Sequence, residues 1–291
     1  MVEKAVGIVG GGIMGCGIAE VAARSGCDVI LREVNPELAK AAERRLEGSL
    51  DKAVSKGKLT TAERDDIRGH VRFTHRMVEF ADRDVVVEAV VEDLAVKTEI
   101  FELLDRIVRP EAVLASNTSS IPIMQLAAVT EHPARVVGLH FFNPAPVMPL
   151  VEIIPCELTS NETLSRAKEF ALDQLGKTTI TAKDRAGFVV NALLVPYLLS
   201  AIRMVDSGLA SAEDIDTAMV AGCNHPMGPL ALTDLIGLDT TMAVAESMYA
   251  ETKEQLYAPP ALLMRKVEAG DLGRKSGRGF FAYAKGSPAK G

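Results

Sequence analysis

The sequence of 291 residues has only four cysteines, and none lies in a Cys-x-x-Cys pair or any other metal-ligand spacing. Cys16, Cys27, Cys156 and Cys223 read as small hydrophobes of a reducing compartment, so no metal centre and a cytoplasmic setting are expected. A long basic run is also missing. With 32 basic and 39 acidic side chains the formal charge is −7, which argues against nucleic acid as a partner. No internal repeat or low-complexity tract is present. The N-terminus runs directly into a strand pattern, so no signal peptide is expected. Residues 188–205 are apolar enough to raise the membrane question, but Asn191, Pro196, Ser200 and Arg203 within them argue for a buried helix instead. What is present is the composition of a well-packed globular chain: 48% hydrophobic residues, mean hydropathy +0.16, and a length that suggests two domains.

The most informative stretch is the first 33 residues. Residues 6–9 form a short β-rich run, followed directly by Gly10, Gly12 and Gly15 in the spacing G-x-G-x-x-G. The pattern then predicts a helix over 14–25, a closing Gly26, a second strand over 29–31 and a terminal acid, Glu33. Gly10 permits a tight turn, Gly12 lets the backbone approach a pyrophosphate, and Gly15 lets helix and strand pack closely. The helix N-terminus offers unpaired N–H groups and partial positive charge to phosphates. Glu33 falls 18 residues after Gly15, where a carboxylate binds ribose hydroxyls. A carboxylate there repels a 2′-phosphate and so favours NAD over NADP. Arg32 is adjacent, but strand alternation points it the other way.

Strand and helix alternate through the first two-thirds of the chain. A polar helix is expected over 36–56, a strand over 84–90, a helix over 96–108 and a strand over 113–115. Further strands are expected over 136–142 and 151–154, then a helix over 161–175 and an extended segment over 178–181. The continuous apolar run DVVVEAV suits a strand buried on both faces of a parallel sheet. From Gly187 onward strand signals vanish, and helices are expected over 188–206, 211–221, 229–252 and 260–269. The expected architecture is therefore α/β: a Rossmann-type dinucleotide-binding domain over 1–184 and an all-helical domain over 185–291. The second domain is small and apolar, which suits burial against a second copy and predicts a homodimer.

In a doubly wound sheet, ligands sit outside the C-terminal ends of the strands. Three polar clusters fall there: residues 88–93, 116–120 and 140–143. His140 ends an apolar strand in GLHFFNP, where an imidazole gains nothing from packing. Glu152, twelve residues on, is the one acid in the apolar strand PLVEII, and a buried carboxylate needs a partner. If the two strands are neighbours, Glu152 orients His140 and stabilises its charged form, leaving the other ring nitrogen to exchange a proton with substrate.

These residues also carry a resemblance. GGGIMGCGIAE, VVVEAVVEDLAVKTEIF, ASNTSSIPI, GLHFFNPAPVMPLVEI, GFVVNALLVPYLLSAIR, HPMGPLALTDLIGLDT and GRKSGRGFF together resemble the 3-hydroxyacyl-CoA dehydrogenase family, particularly its short bacterial 3-hydroxybutyryl-CoA members. The likeness runs in order from Val6 to Phe281. It implies NAD as cofactor, an (S)-3-hydroxyacyl-CoA as substrate and a catalytic pair at His140 and Glu152. It also implies substrate contacts at Ser119 and Asn191, and cofactor contacts at Glu92, Lys97, Asn117, Ser119 and Asn143. Ser49 and Lys56, seven apart on one helix face, take the positions of the family's CoA contacts. Two departures stand out: Ala186-Gly187-Phe188 replaces the usual Pro-Gly-Phe, and Pro149 stands where some relatives carry lysine.

Simpler roles compete for the lesser candidates. Ser119 can cap a helix starting near Ile121, and Lys97, Ser49 and Lys56 can be ordinary solvated side chains. Among whole-chain alternatives, a non-catalytic NAD-binding sensor would be expected to lack part of the His140, Glu152, Ser119 and Asn191 set. A dehydrogenase with a lysine acid on the interdomain helix is disfavoured because residues 188–206 contain no lysine. The same chemistry on an acyl-carrier-protein thioester stays open.

Overall fold

The computed structural model describes residues 5–283, and the chain divides between Arg185 and Ala186 into two compact units. The first unit is built on one eight-stranded sheet. Its strands are β1 (Ala5–Val9), β2 (Asp28–Arg32), β3 (Val71–Thr74), β4 (Val85–Glu88), β5 (Val113–Ser116), β6 (Val136–Phe141), β7 (Leu150–Ile154) and β8 (Thr178–Thr181). They lie in the order β3-β2-β1-β4-β5-β6-β7-β8. The strands from β3 to β6 in that order are all parallel, β7 runs antiparallel to β6, and β8 is parallel to β7. The order reverses at β1, so the glycine turn that follows β1 opens at the crevice where such sheets take ligands.

Helices α1 (Ile13–Arg24), α2 (Pro36–Ser55), α3 (Thr61–Gly69), α4 (Leu94–Ile107), α5 (Ile123–Ala127) and α6 (Asn161–Glu169) belong to this unit. Their starts are chemically marked. Asn35 caps α2 by accepting from Leu38 N, with Pro36 at the first position, and Asp93 caps α4 by accepting from Val96 N. Val6, Ile8, Val29, Leu31, Val85 and Val87 alternate into a core shared with Ile18, Leu46 and Leu50. Leu46 and Leu50, one turn apart on α2, are fully buried, and each such burial is worth roughly 2 kcal/mol.

Helix α3 and strand β3 have no counterpart in the sequence expectation. The signal for α3 was a capping box: Thr60 accepts from Glu63 N, and the Glu63 carboxylate accepts from Thr60 N at 2.7 Å. Strand β3 has only four residues, with exposed Arg72 among them, too short for its alternation to register. The helix expected over 161–175 instead ends at Glu169 and continues as a π-helical turn, Phe170–Gln174.

The second unit is helical: α7 (Val190–Asp206), α8 (Ala212–Cys223), α9 (Pro229–Ile236), α10 (Leu238–Thr252) and α11 (Ala261–Glu268). The single helix expected over 229–252 is broken at Gly237, whose φ of +104° no helix contains. Leu199, Ile202, Leu230, Leu238, Met248 and Leu263 form its core. Among the described residues no helix is long and apolar enough to cross a membrane.

One buried acid organises residues 273–283 of this unit. Asp234, 1% exposed, accepts from Phe280 N at 2.8 Å, Phe281 N at 2.9 Å and Tyr283 Oη at 2.8 Å. Burial, together with the Asp234 carboxylate, pushes the Tyr283 phenol well above its ordinary pKa. A Cβ at Gly279 would lie 2.0 Å from Asp234 Oδ1, and one at Gly273 2.3 Å from Asp234 O. Two of the three glycines of GRKSGRG, Gly273 and Gly279, are thus required by close approach to Asp234. Asp234→Ala leaves three donors without their acceptor and should lower stability by about 3 kcal/mol; thermal unfolding of the full chain measures it, and a shift within error would contradict this role.

Candidate active site

The glycine turn has the geometry of a phosphate cradle. Gly10 has φ +100°, and a Cβ there would sit 2.6 Å from Ala89 O. A Cβ at Gly15 would lie 1.8 Å from Gly10 O, so helix α1 can leave the turn only with glycine at that position. Gly12, by contrast, has nothing within 4 Å of a Cβ position. It stands at the N-cap of α1 with no side-chain cap, and the first turn of α1 carries no acid. The N–H groups there remain available to an anion. Glu33, just beyond β2, lies against the turn: its Oε1 accepts from Gly11 N at 2.7 Å and its Oε2 from Val34 N at 3.1 Å. Each carboxylate oxygen keeps a further lone pair for a ribose hydroxyl. Arg45 on α2 donates to Gly11 O. No sequence pattern marked that residue. Open space at Gly12, enforced closeness at Gly10 and Gly15, and an acid ending β2 fit a dinucleotide.

The strand ends next to the turn hold a buried ionic network. Glu88, the last residue of β4, is fully buried; it accepts from Val90 N at 2.7 Å, Ser116 Oγ at 2.7 Å and Lys97 Nζ at 2.6 Å. Lys97 is 1% exposed, and its ammonium also meets Glu92 Oε2 at 3.2 Å. Lys97 is therefore not a solvated helix residue: its buried ammonium is held between two carboxylates. Glu92 passes the order on. Its Oε1 accepts from Thr118 Oγ1 at 2.5 Å, Ser119 N at 2.9 Å, Ser120 Oγ at 3.0 Å and Ser120 N at 3.1 Å. Ser119 does not cap a helix: α5 starts at Ile123, and the Asp184 carboxylate accepts from Ile123 N and Met124 N at 2.8 and 2.7 Å. The turn positions Ser119 through its own N–H instead.

Burial acts to raise the Glu92 pKa, but Lys97 and the Thr118 and Ser119 donors outweigh it and hold the carboxyl below the ordinary glutamate range. Such a group stabilises fully above the unfolded value of about 4.3, and the contribution is lost as pH falls through the lower native value.

His140 and Glu152 face each other across the antiparallel β6–β7 pair, in direct register. Residues opposed in this way project to the same face of the sheet. His140 Nδ1 and Glu152 Oε2 are 2.7 Å apart, with the residues 4% and 0% exposed. An ionised carboxylate only accepts, so Nδ1 carries the hydrogen, and proton exchange falls to Nε2. The Phe142 ring packs against the imidazole with centroids 4.6 Å apart. Asn117, just after β5, bonds to both neighbouring strands, donating its N–H to Glu88 O of β4 at 2.8 Å and accepting at Oδ1 from Phe141 N of β6 at 2.9 Å. That makes it a strut of the site. Asn143 is exposed on the loop after β6 and precedes a cis peptide bond to Pro144.

The remaining candidates stand on helices α2 and α7. Ser49 is exposed on α2, and Lys56, also exposed, is the residue after its last turn. Asn191 is half-buried at the second position of α7, in the second unit. Glu88 and Ser116 fell within the expected polar clusters without being singled out. The signal for Glu88 was the one that marked Glu152, a lone acid in an apolar strand. Among the described residues no group of three or more His, Cys, Asp or Glu can hold a metal ion.

A dinucleotide turn and an imidazole–carboxylate pair at the same end of one sheet are the equipment of a pyridine-nucleotide dehydrogenase. Comparison with known proteins gives the family. Residues 5–185 match the profile of the 3-hydroxyacyl-CoA dehydrogenase NAD binding domain, and residues 187–283 match that of the 3-hydroxyacyl-CoA dehydrogenase C-terminal domain. The chain belongs to the 3-hydroxyacyl-CoA dehydrogenase family, and its first unit is an NAD-binding domain. It is 58% identical over 279 residues to a 3-hydroxybutyryl-CoA dehydrogenase of Mycobacterium tuberculosis, covering 96% of this chain and 98% of that one. Two crystal structures superpose closely. FadB2 of M. tuberculosis does so with TM-score 0.96 and 57% identity, covering 98% of this chain and 100% of that one. The (S)-3-hydroxybutyryl-CoA dehydrogenase PaaH1 of Ralstonia eutropha gives 0.91 and 43%, covering 97% and 100%.

The buried network makes a sharp prediction. Lys97→Met leaves Glu88 as an uncompensated buried charge and should destabilise the first unit by about 3–5 kcal/mol. Denaturant unfolding measures this. A change below 1 kcal/mol, typical of an exposed lysine, would contradict the network.

Proposed function

We propose that this protein interconverts (S)-3-hydroxybutyryl-CoA and acetoacetyl-CoA, with His140 and Glu152 as the acid–base pair. The observation that carries the reading is the 2.7 Å contact between a buried imidazole and a buried carboxylate, at the same end of the sheet as the glycine turn. The short-chain substrate is taken from the activity in the names of the relatives, at 58% identity for the M. tuberculosis protein.

Gly10, Gly12, Gly15 and Glu33 hold the dinucleotide in this reading, with Asn117, Asn143 and Glu92 at its nicotinamide half and Lys97 acting through Glu92. NAD, when bound, supplies the acceptor for the hydride that leaves C3 of the substrate. His140 takes the 3-hydroxyl proton at Nε2 in the oxidative direction and returns it to the developing alkoxide in the reverse one. Glu152 keeps the ring in the correct tautomer and stabilises the imidazolium that forms. Ser119 donates to the same substrate oxygen, and Asn191 on α7 is a further substrate donor. Preorganised donors of this kind stabilise charge as it develops. Ser49 and Lys56, both exposed, are positioned on α2 for the CoA moiety.

We infer also that the protein is a cytoplasmic homodimer. Three of its four free cysteines are buried and inert, as suits a reducing compartment. Leu193, Leu209, Val220 and Leu235 of the second unit expose 42–74% of their surface, an apolar area that a second copy would cover. Light scattering during gel filtration should give twice the 31.1 kDa chain mass; a monomer at micromolar concentration would refute the dimer.

Turnover of acetoacetyl-CoA with NADH, followed by loss of NADH absorbance, tests the activity. His140→Ala should lower kcat by about a hundred- to ten-thousand-fold while NADH binding persists. Wild-type inactivity, or full activity in the variant, would overturn the reading.

A further inference from the structure

The loop between β6 and β7, residues 142–149, carries Phe142 and Asn143 and joins the two strands that hold His140 and Glu152. Its internal bonding is slight. Val147 N and Met148 N both donate to Pro144 O, at 2.9 and 3.0 Å, while Val147 is 62% exposed. A loop so placed needs support from elsewhere, and two elements supply it. On one side Ala145, 2% exposed, lies against α1, where a Cβ on Gly17 would come within 3.1 Å of Ala145 Cβ and 3.3 Å of Pro146 Cδ. On the other side stands Lys177, at the entry to β8. It is 7% exposed, and its Nζ donates to Ala145 O at 2.7 Å and to Met148 O at 2.9 Å. The next residue joins in, Thr178 N donating to Pro149 O at 2.8 Å.

Lys177 forms no ion pair among the described residues. Burial, with the like charge of Arg24, pushes its pKa down. A buried ammonium without a carboxylate is an expensive packing choice, and a methionine would fill the same space with no charge to desolvate. What the ammonium provides and methionine cannot is a pair of strong hydrogen bonds across the turn from Ala145 to Met148.

We propose that Lys177 is a positioning residue for cofactor binding: its ammonium clamps the Ala145–Met148 turn against Gly17 and so fixes Asn143 and the Phe142 ring beside His140. The proposal rests on the reading of this edge as the nicotinamide half-site. Lys177 touches neither reacting atoms nor cofactor and acts through the loop. Loss of the clamp should weaken NADH more than acyl-CoA, because Ser119, Ser49 and Lys56 lie on other elements.

The test is the dissociation constant of NADH, read from the nucleotide's own fluorescence; the chain contains no tryptophan to interfere. Lys177→Met should raise it about tenfold or more, the loss expected for hydrogen bonds from a charged donor. The KM for acetoacetyl-CoA should stay within about twofold of wild type, and most kcat should be recovered at saturating NADH. Gly17→Ala presses on the same loop from the opposite side, its Cβ 3.1 Å from that of Ala145, so it should weaken NADH by displacing the loop that Lys177 holds. It decides the matter if Lys177→Met fails to fold. NADH affinity within twofold of wild type in the folded variants would overturn the proposal. So would equal losses toward both substrates accompanied by a lower Tm, which mark general destabilisation. If wild type binds NADH but does not turn over acetoacetyl-CoA, the acyl-CoA reading fails, yet the binding comparison still decides the role of Lys177.

Discussion

The hydrogen bond between His140 and Glu152 depends on strand register, and the rest of the site is arranged around that constraint. A pairing shift of one residue between β6 and β7 would turn one of the two side chains to the opposite face and separate them. Direct opposition therefore requires that β7 return antiparallel beside β6, in a sheet whose neighbouring strands from β3 to β6 are parallel. The connection of 142–149 makes that reversal, which is why its anchoring to α1 and Lys177 bears on chemistry as well as on packing.

Buried charge recurs as the means of fixing polar segments. Glu88 and Lys97 neutralise each other below the site, and Glu92 transmits their order to the N–H of Ser119. Asp234 does the same in the second unit for residues 280–283. In each case a carboxylate receives two or more donors, which is what makes burial of the charge tolerable. Glycine has the complementary role. Gly10 and Gly15 hold the cradle closed, while Gly12 keeps it open toward a ligand.

Much of this could be read from the chain alone, for definite reasons. The Rossmann-type order of elements is written in hydrophobic runs separated by glycine turns, and His140 and Glu152 are conspicuous as polar residues ending or interrupting apolar strands. Family membership followed from long motifs in a fixed order. Short or locally specified features were harder. Strand β3 has four residues, and α3 is announced by its capping box rather than by an apolar stripe. The break at Gly237 is a single backbone conformation inside an otherwise helical run. For Lys97 the sequence offered a cofactor contact or a solvated lysine and not a buried ion pair, because helical spacing does not say which face is buried against β4. Lys177 gave no signal at all, since its partners are main-chain carbonyls of a loop some thirty residues away (|i−j| of 29 and 32).

The account stands on the claim that a carboxylate-oriented imidazole moves the proton. Glu152→Gln tests it most directly, because glutamine preserves the shape and a hydrogen-bond acceptor for Nδ1 while removing the charge that stabilises the imidazolium. With NADH affinity and Tm unchanged, kcat for acetoacetyl-CoA reduction should fall about a hundredfold or more. A folded Glu152→Gln protein that binds NADH normally and turns over within a few-fold of wild type would contradict the account.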